Sequence, residues 1–315
     1  MLDAKLKARL RLPLIAAPML RVSGPALVSA ACRAGVIGAF PTANAGGPEG
    51  LDDWLTRIAA EVREANAGAP YAPWCPNLII RSPHMADDLA VLIRHKVEIV
   101  ITSVGSPAAV TAPLHDIGAL VLADVATLKH AEKAIAAGAD GLVLLTAGAG
   151  GQTGWMNGFA FVRAVRAMFD GPIVLAGGVV DGHALLAAEV LGCDLAYMGT
   201  PFIATAESLA AQGYKDMLVG ASMDDVLLTK AFSGLQTNML RPSILAAGLD
   251  PDNLDESITL RSAREMFGPG GAGPRRWVDV WSAGHSVSGV TAVQPVAELV
   301  EALARDYAGA KGRLG

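Results

Sequence analysis

Residues 172–205 read PIVLAGGVVDGHALLAAEVLGCDLAYMGTPFIAT, and the rhythm of this stretch decides the fold. Two short apolar runs, 173–176 and 195–198, each end in glycine: Gly177-Gly178 follows the first and Gly199-Thr200 the second, with one segment of helical length between them. A single glycine after a strand marks nothing beyond a turn. Two such loops side by side, at the carboxyl ends of parallel strands, are how a (β/α)8 barrel holds a phosphate, because backbone N–H groups come close where no Cβ intervenes. The expectation is an α/β protein of TIM-barrel fold with a phosphorylated ligand on Gly177, Gly178, Gly199 and Thr200.

Outward from this stretch the same alternation continues. Apolar runs at 12–17, 36–40, 74–79, 99–102, 119–123 and 141–145 bring the strands to eight, enough to close a barrel. Helical spacing recurs between them, as in 49–66, where Leu51, Trp54, Leu55, Ile58 and Val62 form one apolar stripe. The last helix is predicted over 293–307, with Val296, Leu299, Val300 and Leu303 turned inward. Between them the rhythm breaks, and 221–284 reads as an inserted cap on a barrel made of 1–220 and 285–315. An insertion after the last strand lies on the face where barrel active sites are built and can close over a ligand. Its glycine-rich stretch 268–273 has no flanking strand and no Lys-Ser/Thr pair, so it reads as a mobile surface loop rather than a nucleotide loop.

Composition narrows the function classes. The chain has 315 residues, 52% hydrophobic and 17% charged, with a net charge of −5 and no basic run, which leaves nucleic acid without an electrostatic footprint. Mean hydropathy is +0.40, yet no window offers the roughly 18 uninterrupted apolar residues of a membrane span. The opening MLDAKLKARLRLP lacks the long apolar core of a secretory signal, so a cytoplasmic enzyme is expected. Cys32, Cys75 and Cys193 are odd in number and far apart, which argues for small buried hydrophobes and against a disulfide framework or a metal cluster. The histidines show no metal-ligand spacing, and no metal is expected. No G-x-S-x-G elbow points to a serine hydrolase.

Ala16-Ala17-Pro18-Met19 closes the first strand. Pro18 removes one backbone donor, and the next amide, at Met19, is expected to be free to face a ligand. Such a strand end can hold a flat ring or be a plain terminus; both readings stay open on these residues alone.

Taken together, PLIAAPML, Asn77 at the end of the third strand, AGADGLVLLTAGAGGQTG, PIVLAGGVVDG, LGCDLAYMGTPFIAT and the tail AGHSVSGV resemble the nitronate monooxygenase (2-nitropropane dioxygenase) family. The flavin-dependent enoyl-acyl-carrier-protein reductases share this plan. The resemblance implies an FMN-binding barrel with a small cap. It sets the flavin ring against Ala17, Pro18 and Met19, with Asn77 beside it, Gly151 in the loop over it, and the FMN phosphate on Gly177, Gly178, Gly199 and Thr200.

Three positions depart from the family pattern. Where well-studied members carry GGH-x-G with a catalytic histidine, this chain has Gly150-Gly151-Gln152-Thr153-Gly154. Glutamine donates and accepts hydrogen bonds but takes no proton near neutral pH. His285 stands where the related tail usually has glutamine, which raises an exchange of the two roles across one barrel mouth, against a plain capping histidine. Asp124, ending the fifth strand, replaces a lysine that some relatives direct at the flavin, where a carboxylate cannot stabilise negative charge on the ring; as a helix N-cap it would be unremarkable in type. Gln152 and His285 are the catalytic candidates, and Asp124 joins the cofactor set.

The resulting expectation is an FMN-dependent oxidoreductase that oxidises an alkyl nitronate with O2 to a carbonyl compound and nitrite. Its rival on the same fold is an FMN-dependent reductase or dehydrogenase of an enoyl, quinone or CoA-linked substrate, using a pyridine nucleotide or another electron partner. A flavin-free isomerase or aldolase would need a catalytic lysine or carboxylate at a strand end, and no strand end supplies a lysine. The partner is a small-molecule substrate, with neither nucleic acid nor membrane, and a homodimer is compatible with the sequence.

Overall fold

The computed structural model describes residues 1–66 and 70–313. Eight parallel strands close into a barrel in strict chain order: β1 (Leu14–Ala16), β2 (Ile37–Pro41), β3 (Trp74–Ile79), β4 (Ile99–Ser103), β5 (Leu120–Val125), β6 (Gly141–Leu145), β8 (Ile173–Ala176) and β9 (Leu195–Met198). β1 returns to β9 through the register Ile15↔Tyr197, which closes the ring. All eight runs read from the sequence are strands, because each is an apolar stretch buried on both faces, against the barrel interior and against the helices outside.

Ile15, Ile37, Ile99, Ile101, Leu122, Val143 and Val174 fill the interior, and Leu2 plugs the amino-terminal end. Helix Pro48–Asn66 buries Leu51, Leu55, Ile58 and Val62 as the periodicity predicts. The last helix is Val296–Gly312 rather than 293–307. Residues before it stay extended because Gln294 N–H donates to Ala204 O at 3.3 Å and Pro295 takes the N-cap position. Cys32, Cys75 and Cys193 are buried free thiols, and burial pushes the Cys32 and Cys193 thiols up to about 12.

Within 221–284 lie β10 (Val226–Thr229), β11 (Thr237–Leu240) and helix Leu260–Phe267, packed around a small core of Phe232, Met239, Ile244, Phe267 and Val280. Their sheet has a third strand that the sequence reading did not anticipate. β7 (Gly151–Gln152), part of the glycine-rich loop after β6, pairs antiparallel with β11 through Thr237↔Gln152 and Asn238↔Gly151.

Asn238 is the clamp of this junction. It is buried, and its Nδ2 donates to Ala147 O at 2.9 Å and Ala149 O at 2.8 Å, so it fastens the loop instead of lining a cavity. Replacing it with alanine orphans both carbonyls, and Asn238→Ala is expected to cost about 2 kcal/mol. The urea midpoint of the apoprotein checks this, along with faster amide exchange across residues 146–153.

Candidate active site

The carboxyl ends of the strands open into one cavity of about 930 Å³, near the upper end of the roughly 300–1,000 Å³ common for ligand sites. Ala17, Pro18, Met19, Asn77, Asp124, Gly151, Gln152, Gly177, Gly178, Gly199 and Thr200 all line it. Barrel closure brings these residues together from six strand ends.

At the β8 end, Gly177 and Gly178 both have positive φ, +111° and +76°. They differ in what surrounds them. A Cβ on Gly177 would lie 2.5 Å from Thr146 Oγ1 and 2.6 Å from Ala149 N, so this glycine lets two loops touch. A Cβ on Gly178 would meet nothing within 4 Å: it would project into open space. Neither Gly178 N–H nor Val179 N–H donates to an acceptor among the described residues. A glycine cradle with unspent N–H groups has the chemistry of a phosphate site, and the residues present fit the phosphate end of a flavin mononucleotide. Thr200 Oγ1 accepts from Gly284 N–H at 2.9 Å, tying the tail of the chain to this cradle.

At the β1 end the backbone differs from expectation. Met19 N–H donates to Ser23 Oγ at 3.0 Å and Met19 O accepts from Asn44 Nδ2 at 2.9 Å, so the Met19 amide is not free for a ligand. Met19 instead offers its side chain, whose sulfur packs 3.4 Å from the position of a Cβ on Gly199. Asn77 is 6% exposed; it accepts from Ser103 Oγ at 3.2 Å and donates to Ile101 O at 3.3 Å, which fixes its amide at the edge of the cavity.

Asp124 is not a helix cap. Thr127 holds that place, accepting from His130 N–H at 3.1 Å. Asp124 Oδ1 is out of solvent with no hydrogen-bond partner, and burial pushes the carboxyl up to about 7. Tyr197 lines the same wall, its hydroxyl pushed well above its ordinary value by burial and by Asp124.

Gln152 is exposed on the wall, its backbone fixed by pairing with Thr237. His285 is not among the lining side chains. Its N–H donates to Gly148 O at 3.0 Å, and its Nδ1 lies 3.3 Å from where a Cβ on Gly148 would stand, so the ring packs against Gly148. The His285 ring thus stands behind Gly148, whereas Gln152 is itself a lining residue. Arg241 is paired with Asp252 at 2.9 Å, and His183 is held by Asp306 at 2.9 Å; neither belongs to the lining.

Sequence reasoning missed several lining residues: Arg81 beyond β3, His130 and Lys133 on helix Leu128–Ala136, and Arg276, Trp277 and Trp281 from the segment 221–284. Trp281 stacks on Tyr214 with centroids 5.0 Å apart. Trp277 adopts φ +66° and reaches to 4.0 Å from the position of a Cβ on Gly151, beside Gln152. The one signal for these was RRWVDVW following the glycine-rich stretch.

Comparison with known proteins agrees with this geometry. The family model for nitronate monooxygenase matches residues 76–306. A nitronate monooxygenase of Paraburkholderia phytofirmans is 30% identical, over 93% of this chain and 92% of that one. A hydroxy-methyl-oxo-octahydroindene-carboxyl-CoA dehydrogenase of Mycobacterium tuberculosis is 27% identical over 74% of this chain, which spans 64% of that protein's length. Among solved structures, nitroalkane oxidase from Streptomyces ansochromogenes superimposes with a TM-score of 0.76 at 26% identity, covering 99% of this chain and all of the other. FabK from Thermotoga maritima gives 0.77 at 23% identity, over 100% of this chain and 99% of that one, and so speaks for the fold alone. The chain belongs to the nitronate monooxygenase family and is an oxidoreductase. Among the described residues, no helix is long and apolar enough to cross a membrane.

Proposed function

We propose that this member of the family is an FMN-dependent oxidoreductase that oxidises an alkyl nitronate with O2, giving a carbonyl compound and nitrite. The observation that carries the reading is a cavity lined by cations, with an amide rather than a base on the loop after β6. Gln152 stands at the loop position beside the cap and cannot take a proton, while Arg81, Lys133 and Arg276 line the same cavity. Such a wall suits a substrate that arrives already ionised. FMN, when bound, supplies the electron acceptor and the partner for oxygen. Gln152 then orients the nitro oxygens through its amide donor, Ala17, Pro18 and Met19 support the ring, and Gly177, Gly178, Gly199 and Thr200 hold the phosphate.

An anaerobic titration tests this. Addition of propionate 3-nitronate to FMN-loaded protein is expected to bleach the flavin absorbance, with nitrite appearing once air is admitted. Gln152→Ala should lower kcat/KM for the nitronate about tenfold, near the ~1.4 kcal/mol of one hydrogen bond to a charged group, and leave flavin content unchanged. Equal turnover in the two proteins removes Gln152 from the reaction.

A second reading is favoured by the number of cations on the wall, which exceeds the single charge of a nitronate: a reductase or dehydrogenase of a CoA-linked, enoyl or quinone substrate. In the same titration, bleaching by NADH or NADPH and not by the nitronate selects it.

A further inference from the structure

We propose that Arg81, His130 and Lys133, joined by Arg276 from the cap, form a second anion site across the barrel mouth from the glycine cradle, and that it takes the phosphorylated adenosine diphosphate of a CoA thioester or a pyridine dinucleotide. The inference rests on the second of the two functional readings.

Position is the first argument. Around the ring the strands run β1-β2-β3-β4-β5-β6-β8-β9. The glycine cradle hangs from β8 and β9, whereas Arg81 follows β3 and His130 and Lys133 follow β5, on the opposite arc. His130 and Lys133 are three apart on helix Leu128–Ala136 and so share one face. All four side chains line the cavity. The one phosphate of a flavin mononucleotide on the β8–β9 side leaves these groups for a different anion.

Charge is the second argument. The chain as a whole carries −5, yet this cavity is lined by Arg81, Lys133 and Arg276 against a single carboxylate, Asp124. None of the four basic side chains has a carboxylate within ion-pair distance among the described residues. Several arginines outside the cavity are paired, among them Arg9 with Glu98, Arg11 with Glu301 and Arg166 with Asp194. Arg276 is half-buried, and its NH1 reaches only the carbonyl of Phe232 at 3.4 Å. Like charges that face one cavity without balancing carboxylates favour a polyanion as the ligand. A nitronate or a simple carboxylate neutralises one charge; a phosphorylated diphosphate neutralises all of them. Guanidinium forks on two sides match phosphate oxygens in geometry as well as charge.

The test is direct binding to the FMN-loaded, full-length protein by calorimetry, with coenzyme A and NADPH as probes, and pantetheine and nicotinamide mononucleotide as fragments lacking the adenosine diphosphate. At least one full probe is expected to bind, its fragment at least tenfold more weakly. Arg81→Glu with Lys133→Glu should weaken the full probe at least tenfold and flatten its salt dependence. Both side chains are exposed, so flavin content and the circular dichroism spectrum serve as controls for folding. Binding of coenzyme A alone identifies a thioester substrate; binding of NADPH alone identifies an electron donor. Holoprotein that binds neither probe below about 1 mM, or a double variant that binds as well as the parent, overturns the site. Nucleotide binding lost in the double variant, in a protein that takes up no flavin, keeps the anion site and rejects the flavin reading beneath it.

Discussion

If the glycine cradle holds the phosphate of FMN as proposed, Gly178→Ala is expected to leave the barrel folded and to remove most of the preference for FMN over riboflavin. The added methyl meets no protein atom within 4 Å, so its cost to folding is confined to the left-handed backbone at φ +76°, about 1–2 kcal/mol. The same methyl occupies the space above the unspent N–H groups of Gly178 and Val179, where the phosphate oxygens would approach. Charge-assisted hydrogen bonds of this kind contribute roughly 1.5–3 kcal/mol each, so losing one weakens FMN by about 10- to 100-fold and losing two by more. Riboflavin, which has no phosphate, should bind the variant nearly as it binds the parent. Fluorescence titrations of the apoprotein with both flavins measure the difference, and equal losses for the two would place the phosphate elsewhere. Gly177→Ala separates packing from binding: its methyl strikes Thr146 Oγ1 and Ala149 N, so that variant loses thermal stability as well.

Asp124→Asn is expected to raise the stability of the apoprotein at alkaline pH and to leave it unchanged in acid. Burial pushes the Asp124 carboxyl from 3.8 up to about 7. With the folded value above the unfolded one, the native state holds a proton that the unfolded chain has released. Stability is therefore fullest below about pH 4 and is lost as pH rises to about 7, at roughly 1.4 kcal/mol per unit, for a total near 4 kcal/mol. Asparagine mimics the neutral acid and does not titrate. At pH 8 the variant's Tm should exceed the parent's by about 6 °C, taking an unfolding entropy of about 2.1 cal/mol/K per residue. Identical pH dependence in the two proteins would mean that Asp124 is not the group titrating in the cavity. In the FMN-loaded protein the same carboxylate lies on the cavity wall, and its ionisation opposes negative charge on the ring, so the reduction potential of the parent should fall more steeply across pH 6–8 than that of the variant.

The barrel was legible because each strand announces itself locally. A run such as Gly141–Leu145 is apolar throughout since both its faces are covered, and the glycines after β8 and β9 mark the two loops that must approach a ligand closely. Such signals depend on near neighbours in the chain, and eleven of the positions singled out from Ala17 to Thr200 line one cavity. Where reading by position went astray, a contact distant in sequence intervened. The Met19 amide is spent on Ser23. His285 is turned onto Gly148 by the return of the tail, where the backbones of 148–150 and 283–285 run so close that a Cβ on Gly150 would sit 2.7 Å from Gly284 N.

By itself, then, the sequence determined the α/β barrel, the glycine cradle and the absence of a histidine in the loop after β6, because strand periodicity, positive φ and residue identity need no distant partner. Tertiary structure alone decided that Gly151–Gln152 would become a strand against Thr237–Leu240, that Asp124 would stand unpartnered in the cavity, and that Arg81, His130, Lys133 and Arg276 would share its wall. Those residues are scattered over nearly two hundred positions and carry no common spacing; only closure of the barrel and the packing of residues 221–284 bring them to one cavity.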